Sequence, residues 1–271
     1  MKKNVLKIAA MSLAAVLSIG MLAGCQEQKT EKSADDSAQT QTTDGKLVMG
    51  TNAAFEPFEF VTTADKGVVG EFDGIDVVIA NEIAKSMNKE LVIEDMEFDG
   101  LLASVQTGKI DMAVAGMTIK PERLESVDFS IPYYKATQVI VVAADNEDIK
   151  SAEDLKNDKK VGVVLGYTGD SIVTDDLKVS EDNITRANRG VDVVQDVKNG
   201  KLDAVVIDSY TGKALAEKNG LKVVEDAAAF EAEEYAIAIK KGNTELLEKV
   251  NEKLSSMLEN GEIEEISQRY N

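Results

Sequence analysis

Two segments of the chain nearly repeat each other, and both end where a bound molecule could be contacted. VQTGKIDMAVAG ends at Gly116 and VKNGKLDAVVID ends at Asp208, and the copies align when Gly108 is placed over Gly200. Each copy is typical of a helix end, a glycine in the left-handed conformation and a buried strand. The carboxyl ends of parallel strands form ligand crevices in doubly wound sheets. The repeat therefore predicts two half-sites facing one cleft, one ending in a carboxylate and the other in bare backbone.

The composition restricts the chemistry that such a cleft can perform. The chain has no histidine, which excludes Ser-His-Asp and Cys-His nucleophile systems and histidine-ligated zinc or iron. Carboxylates, lysines, tyrosines and arginines remain, and we expect neither a metal ion nor a cofactor. The formal net charge is −19, which repels nucleic acid and anionic lipid heads. We therefore expect no nucleic-acid partner.

The N-terminal residues 1–24 are typical of an export signal, with early lysines followed by an apolar run from Ile8 to Leu22. The run leads into Leu-Ala-Gly-Cys, which resembles the lipobox of bacterial lipoproteins. That resemblance implies cleavage before Cys25, attachment of lipid to its sulfur, and tethering to the outer face of a cytoplasmic membrane. Because Cys25 is the only cysteine, a disulfide within one chain is impossible. The alternative is an ordinary signal peptide with an incidental cysteine.

Residues 25–45 carry no aromatic side chain and almost nothing apolar, so they predict a disordered spacer after the lipidated cysteine. The remainder is long enough for two modest hydrophobic cores. No further apolar run approaches the length of a membrane span, so we expect the lipid to be the only anchor.

The folded part alternates β-branched runs with segments of helical period. LVMGT, GIDVVIANEIAKSMN, LVIEDM, DGLLASVQTG and IDMAVAG predict strand, helix, strand, helix, strand, which indicates a parallel sheet with right-handed crossovers. The pattern restarts after SIPYYKA with QVIVVAA, KVGVVLG, ITRAN, VDVVQDVKNG and LDAVVID, which predicts a second α/β unit. An amphipathic helix, TELLEKVNEKLSSMLENG, closes the chain.

Several segments, taken together, resemble one family. At GTNAAFEPFEF, GIDVVIANEIAKSMN, EFDGLLASVQTGKIDMAVAGMTIKPERLESVDFSIPYY and VGVVLGYTGDS, the chain is similar to the amino-acid-binding proteins of ABC-transporter solute-binding family 3. The resemblance implies a two-lobe periplasmic-binding-protein-like α/β fold of type II, with a mostly parallel sheet flanked by helices in each lobe. It places lobe 1 at 46–132 plus 236–271, lobe 2 at 138–230, and hinge strands at 133–137 and 231–235.

The same resemblance implies a function. Such a protein is expected to capture a free L-amino acid in the cleft between its lobes and deliver it, as a monomer, to an ABC permease. One alternative is an enzyme on the same fold, similar to cyclohexadienyl dehydratases. We expect no enzyme, because no extra glutamate–lysine pairing at the cleft suggests elimination chemistry. Another alternative is a lipoprotein that senses amino acids through the same site.

The resemblance also implies partners for the ligand's carboxylate. Arg123 in TIKPER matches the family's carboxylate-binding arginine, whose planar fork can donate two parallel hydrogen bonds. On spacing alone, Arg123 would be a solvated arginine in a helix that starts after Pro121. In GYTGDS, the N–H groups of Thr168 and Gly169 at a helix start are a second expected carboxylate contact.

The ligand's ammonium is expected to meet the two repeat ends. Asp208 matches the family's ammonium acceptor, although it could also act as the N-cap of the helix that follows it. Gly116 allows close approach of the backbone, so that its carbonyl accepts from the same ammonium. Thr118 is expected to contribute a hydroxyl and an N–H.

Aromatic side chains are expected to wall the cleft. Phe55 and Phe98 match the family positions that sandwich the ligand's side chain. Phe58 and Phe60 are assigned to the hydrophobic core instead.

The residues expected to line the side-chain part of the cleft favour a neutral ligand. Family members that take basic amino acids commonly have aspartate at the position of Asn52, whereas Leu165 and Ile207 stand where some relatives carry polar or cationic side chains. Asn52 can both donate and accept, which suits a neutral polar group. We therefore expect a neutral L-amino acid, unless Asp99 or Asp170 turns inward and restores a cation site.

Overall fold

A computed structural model of the chain describes residues 45–63 and 65–270. The predicted export signal, the lipidated Cys25 and the spacer up to residue 44 lie outside the described residues. Within the described ranges, no helix is long and apolar enough to cross a membrane.

The regular elements follow the predicted alternation of strands and helices. In chain order the strands β1 to β15 are Lys46–Thr51, Ala54–Phe55, Glu59–Val61, Phe72–Asp73, Glu90–Asp95, Met112–Ala113, Val127–Phe129, Tyr134–Ala136, Gln138–Val142, Val161–Val164, Ile184–Ala187, Ala204–Asp208, Lys222–Val224, Glu233–Tyr235 and Ala238–Lys240. The helices α1 to α8 are Ile75–Ser86, Leu101–Thr107, Pro121–Leu124, Thr168–Ser171, Gly190–Lys198, Ser209–Asn219, Thr244–Glu259 and Glu262–Gln268. Helix α4 continues directly into a π-helical turn, Ile172–Asp176.

Two five-stranded sheets form the centres of the two lobes. The first has the order β5-β1-β6-β15-β7 and the second the order β11-β10-β12-β9-β13. The predicted two-lobe α/β fold with a mostly parallel sheet in each lobe is confirmed: in each sheet four strands run in one direction and one strand runs against them. In the first sheet β15 runs antiparallel to β6 and β7, and in the second β9 runs antiparallel to β12 and β13. These antiparallel strands adjoin the segments that cross between the sheets, so they enter each sheet from the opposite end.

The two strands of the sequence repeat occupy equivalent places. Strand β6 is the middle strand of the first sheet and β12 is the middle strand of the second. Gly108 ends α2 with φ +75°, and Gly200 follows α5 with φ +70°, so both take the left-handed conformation expected of them. Each copy of the repeat therefore ends at the carboxyl edge of the middle strand of one sheet.

A small antiparallel ribbon lies, in chain order, between the two sheets. Strand β8 pairs with β14, and Tyr134 lies opposite Tyr235. These strands coincide with the predicted hinge segments at 133–137 and 231–235, whose role as a hinge stays a prediction together with the lobe boundaries.

Beneath the first sheet's carboxyl edge lies a buried pair of acids. The Asp76 carboxylate, in the first turn of α1, accepts hydrogen bonds from the Gly116 N–H and the Tyr133 hydroxyl, each at 2.8 Å. Glu59 is fully buried, and neither of its carboxyl oxygens has a hydrogen-bond partner among the described residues. Burial, reinforced by the charge of Asp76, raises the pKa of Glu59 well above its ordinary value. Burial also raises the pKa of Asp76, to about 6.

The state of Glu59 gives a stability prediction. Above pH 4.5 the unfolded chain loses the Glu59 proton while the folded chain keeps it, so this side chain lowers the free energy of unfolding as pH rises toward its folded pKa. Glu59→Gln removes the titration. We expect the stability of this variant relative to the unmodified protein to increase as the pH rises above 4.5. Urea unfolding at pH 5, 6 and 7 measures the difference, and a difference that does not change with pH would contradict the assignment. The control is Glu71→Gln at an exposed position.

Candidate functional site

Arg123 is the cation at the centre of the cleft. It lies on α3 but is only 7% exposed, which rules out the solvated alternative. Its guanidinium donates to the Thr118 carbonyl at 2.8 Å and to the Gly166 carbonyl of the second lobe at 3.0 Å. The guanidinium carbon also lies 5.3 Å from the centre of the Phe98 ring. Within residues 45–63 and 65–270 no carboxylate forms an ion pair with Arg123, and its direct hydrogen-bond partners are neutral carbonyls.

Threonines from the two lobes meet beside this arginine. The Thr168 hydroxyl donates to the Thr118 hydroxyl at 3.1 Å. Thr168 begins α4, which continues directly into the π-helical turn Ile172–Asp176. A Cβ on Gly169 would lie 2.6 Å from the Val206 carbonyl oxygen, which explains the glycine at this position. The structure thus brings Thr118, Thr168 and Gly169 together with Arg123.

Asp208 supplies a buried carboxylate. It occupies the N-cap position of α6, but its side chain makes no capping hydrogen bond and accepts from the Tyr235 hydroxyl instead. Burial and the neighbouring charge of Glu233 raise the pKa of Asp208 to about 7. Glu233 accepts from the Thr118 hydroxyl at 2.5 Å and from the Gln138 amide at 3.0 Å. The repeat did not predict Glu233 or Tyr235, because both belong to the distant crossing strand β14.

Gly116 is covered by an aromatic ring. It has φ +51°, a conformation that favours glycine, and its N–H is held by Asp76. A Cβ at this position would lie 2.5 Å from the edge of the Phe55 ring. The lack of a side chain at Gly116, predicted for the end of the first repeat, is therefore required to leave room for the Phe55 ring.

The predicted aromatic walls enclose a third ring, that of Tyr167. Its centre lies 5.4 Å from that of Phe55 and 4.6 Å from that of Phe98, both in edge-to-face arrangements. The Tyr167 hydroxyl donates to the Asn52 side-chain oxygen at 3.0 Å, and the Asn52 amide donates to the Met96 carbonyl at 3.0 Å. Sequence analysis missed Tyr167. The available signal was a large aromatic residue immediately before a helix start in GYTGDS.

The remaining predicted lining residues lie farther out. Leu165 is 37% exposed, and its role as a wall stays a prediction. Asp170 forms an ion pair with Arg186 at 2.8 Å, so its charge is already compensated. Asp99 is exposed, and Ile207 is buried within its sheet. Neither acid therefore provides a buried, uncompensated charge for a cationic ligand.

The two phenylalanines assigned to the core differ. Phe58 is fully buried and packs with its ring 5.6 Å from that of Phe55. Phe60 is only half-buried, and its ring lies 6.2 Å from that of Tyr270. The core assignment therefore describes Phe58 well and Phe60 only in part.

Polar contacts close the cleft at its edges. The Thr211 hydroxyl donates to the Glu56 carbonyl at 2.8 Å, and the Glu56 carboxylate is paired with Lys218. On the side of Arg123, the Lys120 ammonium donates to the Ser171 hydroxyl at 2.5 Å. These contacts join segments of the two lobes.

Comparison with known proteins gives a consistent result. The chain is 32% identical over 238 residues to a probable histidine-binding protein of Neisseria gonorrhoeae, covering 87% of each chain. It is 36% identical over 233 residues to the arginine-binding extracellular protein ArtP of Bacillus subtilis, covering 83% of this chain and 86% of the relative. A solved ancestral arginine-binding protein bound to glutamine is 40% identical, with a TM-score of 0.75, and the match covers 83% of this chain and 97% of that one.

The family assignment rests on nearly the whole folded part. Residues 47–271 match the profile of the bacterial extracellular solute-binding proteins, family 3. The order of motifs, the two mixed sheets and the relatives all agree with that match. The chain therefore belongs to the bacterial extracellular solute-binding proteins, family 3.

Proposed function

We propose that this protein captures a free L-amino acid in the cleft between its lobes and delivers it to an ABC permease. In this proposal the protein is a monomer held at the outer face of the cytoplasmic membrane by lipid on Cys25. One observation carries the proposal: Arg123 is buried without a carboxylate partner, in the same cleft as the buried carboxylate of Asp208.

The charges of the cleft suit a zwitterion. An uncompensated buried charge costs several kcal/mol, so Arg123 favours an anion that replaces the water lost on closure. An α-carboxylate can accept from the guanidinium and from the backbone N–H groups of Thr118 and Thr168 beside it, since the two threonine hydroxyls already donate to Glu233 and to Thr118. Asp208 has a raised pKa because burial disfavours its charged form, and an α-ammonium would restore that charge. The carboxylate of an amino acid would thus compensate the charge of Arg123, and its ammonium would compensate that of Asp208.

Charge balance also favours a neutral side chain. In this proposal Arg123 faces the ligand's carboxylate and Asp208 its ammonium. The Glu233 carboxylate is engaged by the Thr118 hydroxyl and the Gln138 amide. Asp170 is compensated by Arg186, and Asn52 brings an amide where a basic ligand would need a carboxylate. The relatives include proteins named for arginine and histidine and a structure bound to glutamine, so family membership by itself leaves the side chain open.

Thermal unfolding with a panel of amino acids tests the proposal against an enzyme on the same fold. We expect at least one amino acid to raise the unfolding temperature and to be recovered unchanged. Conversion of prephenate or arogenate by the purified protein would overturn the binding function in favour of the enzyme.

The hinge assignment predicts a change of shape on binding. If the segments 133–137 and 231–235 act as a hinge, a saturating amino acid closes the lobes and lowers the radius of gyration in solution scattering. An unchanged radius of gyration at saturation would contradict the hinge. The exposed substitution Asp192→Ala leaves the hinge segments intact and serves as a control.

Substitution of either buried charge should weaken binding strongly. Arg123→Ala and Asp208→Ala each leave one ligand charge buried without its partner, which costs roughly 2 to 5 kcal/mol in affinity. Isothermal titration calorimetry with the stabilising amino acid measures the loss. Near-normal affinity in either variant would refute the site. Asp192→Ala is a matched control for loss of an exposed acid.

The raised pKa of Asp208 predicts proton release. Below pH 7 the free protein holds a proton on Asp208, and that proton must leave when an ammonium binds. We therefore expect affinity to fall as pH drops from 7, by about tenfold per pH unit, with release of about one proton per ligand at pH 6. Calorimetry in buffers of different ionisation enthalpy measures the release. A pH-independent affinity between pH 5 and 8 would contradict the role of Asp208.

A further inference from the structure

We propose that Tyr167 occupies the side-chain part of the cleft and makes the site selective for amino acids with short, neutral side chains, such as alanine or serine. This inference rests on the proposed function and specifies its ligand. Tyr167 would thus determine specificity, although it belongs neither to the sequence repeat nor to the predicted aromatic pair Phe55 and Phe98.

The first support is the position of the ring. Phe55 and Phe98 are the walls expected to sandwich a ligand's side chain, and the Tyr167 ring makes edge-to-face contact with both. Tyr167 is only 6% exposed. A long side chain lying between Phe55 and Phe98 would therefore occupy the same space as the Tyr167 ring.

The second support is the hydrogen bonding at the end of the ring. The Tyr167 hydroxyl donates a hydrogen bond to the Asn52 side-chain oxygen, and the Asn52 amide donates one to the Met96 carbonyl. Asn52 therefore already has partners for both ends of its amide. Displacement of Tyr167 would leave the Asn52 oxygen buried without that donor, which is unfavourable in a closed site.

The third support is the backbone on either side of the ring. The Tyr167 N–H donates to the Val164 carbonyl at 3.0 Å, and its carbonyl accepts from the Asp170 N–H at 3.1 Å. The next residue, Thr168, meets Thr118 across the cleft. The backbone of Tyr167 is thus held by the turn that also carries Thr168. The contacts of the ring with Phe55, Phe98 and Asn52 fix the direction of its side chain.

These contacts divide the cleft into two parts. The charged part, around Arg123 and Asp208, accepts the groups that all amino acids share. The aromatic part is filled by Tyr167, so little room remains beyond the ligand's Cβ. The selectivity follows from exclusion of volume, without any charged group that recognises the side chain.

The test uses calorimetric titration of the full chain and of two variants, Tyr167→Ser and Tyr167→Phe. The ligands are glycine, alanine, serine, leucine, glutamine, phenylalanine and arginine. We expect the unmodified protein to bind alanine or serine at least tenfold more tightly than leucine, glutamine, phenylalanine or arginine. Tyr167→Ser should gain at least tenfold in affinity for one or more long side chains. Tyr167→Phe keeps the ring and should retain the original ranking.

Two results would overturn the inference alone: tighter binding of a long side chain than of alanine and serine by the unmodified protein, or an unchanged ranking in Tyr167→Ser. If no amino acid binds any of the proteins, the proposed function fails and the inference fails with it. If circular dichroism shows that Tyr167→Ser is unfolded, Tyr167→Leu takes its place. This smaller apolar residue should also shift affinity toward long side chains, and no shift would again overturn the inference.

Discussion

The burial of opposite charges that do not pair with each other is the constraint on which the cleft depends. Arg123 lies between two backbone carbonyls from different lobes, and Asp208 is bonded to a tyrosine. Direct pairing of the two would satisfy both charges and leave nothing for a ligand. The protein keeps them apart by giving each a neutral partner, which limits the cost of burial without cancelling the charge. A zwitterion supplies what each of them lacks.

The crossing segments take part in this arrangement. Tyr133, next to the first crossing strand, donates to Asp76, and Tyr235, on the second, donates to Asp208. Both tyrosines therefore connect the predicted hinge to a buried carboxylate. A change in the charge or position of either carboxylate alters a hydrogen bond to a crossing segment. In the proposed function, occupation of the cleft therefore changes a contact of the second crossing segment, through Asp208 and Tyr235.

Features that depend on local sequence patterns were predicted correctly, whereas contacts between residues far apart in the sequence were not. The helices, the strands and the left-handed Gly108 and Gly200 follow from hydrophobic periodicity and from glycine at helix ends, which are local properties of the sequence. Family resemblance brought Arg123 and Asp208 to one cleft. The ring of Tyr167 could not be placed in this way, because its position depends on side chains more than 60 residues away in the sequence, and no local pattern records such contacts.

The ends of the two repeat copies have similar chemical surroundings, although one ends in glycine and the other in aspartate. The first copy ends in Gly116, whose N–H binds the Asp76 carboxylate that also accepts from Tyr133. The second copy ends in Asp208, which itself supplies the carboxylate and accepts from Tyr235. Each half therefore brings a carboxylate and a tyrosine to the carboxyl end of its middle strand. In the first half the carboxylate comes from α1 and the Phe55 ring covers the Cα of Gly116, so the strand end requires glycine. In the second half the strand itself provides the acid, Asp208.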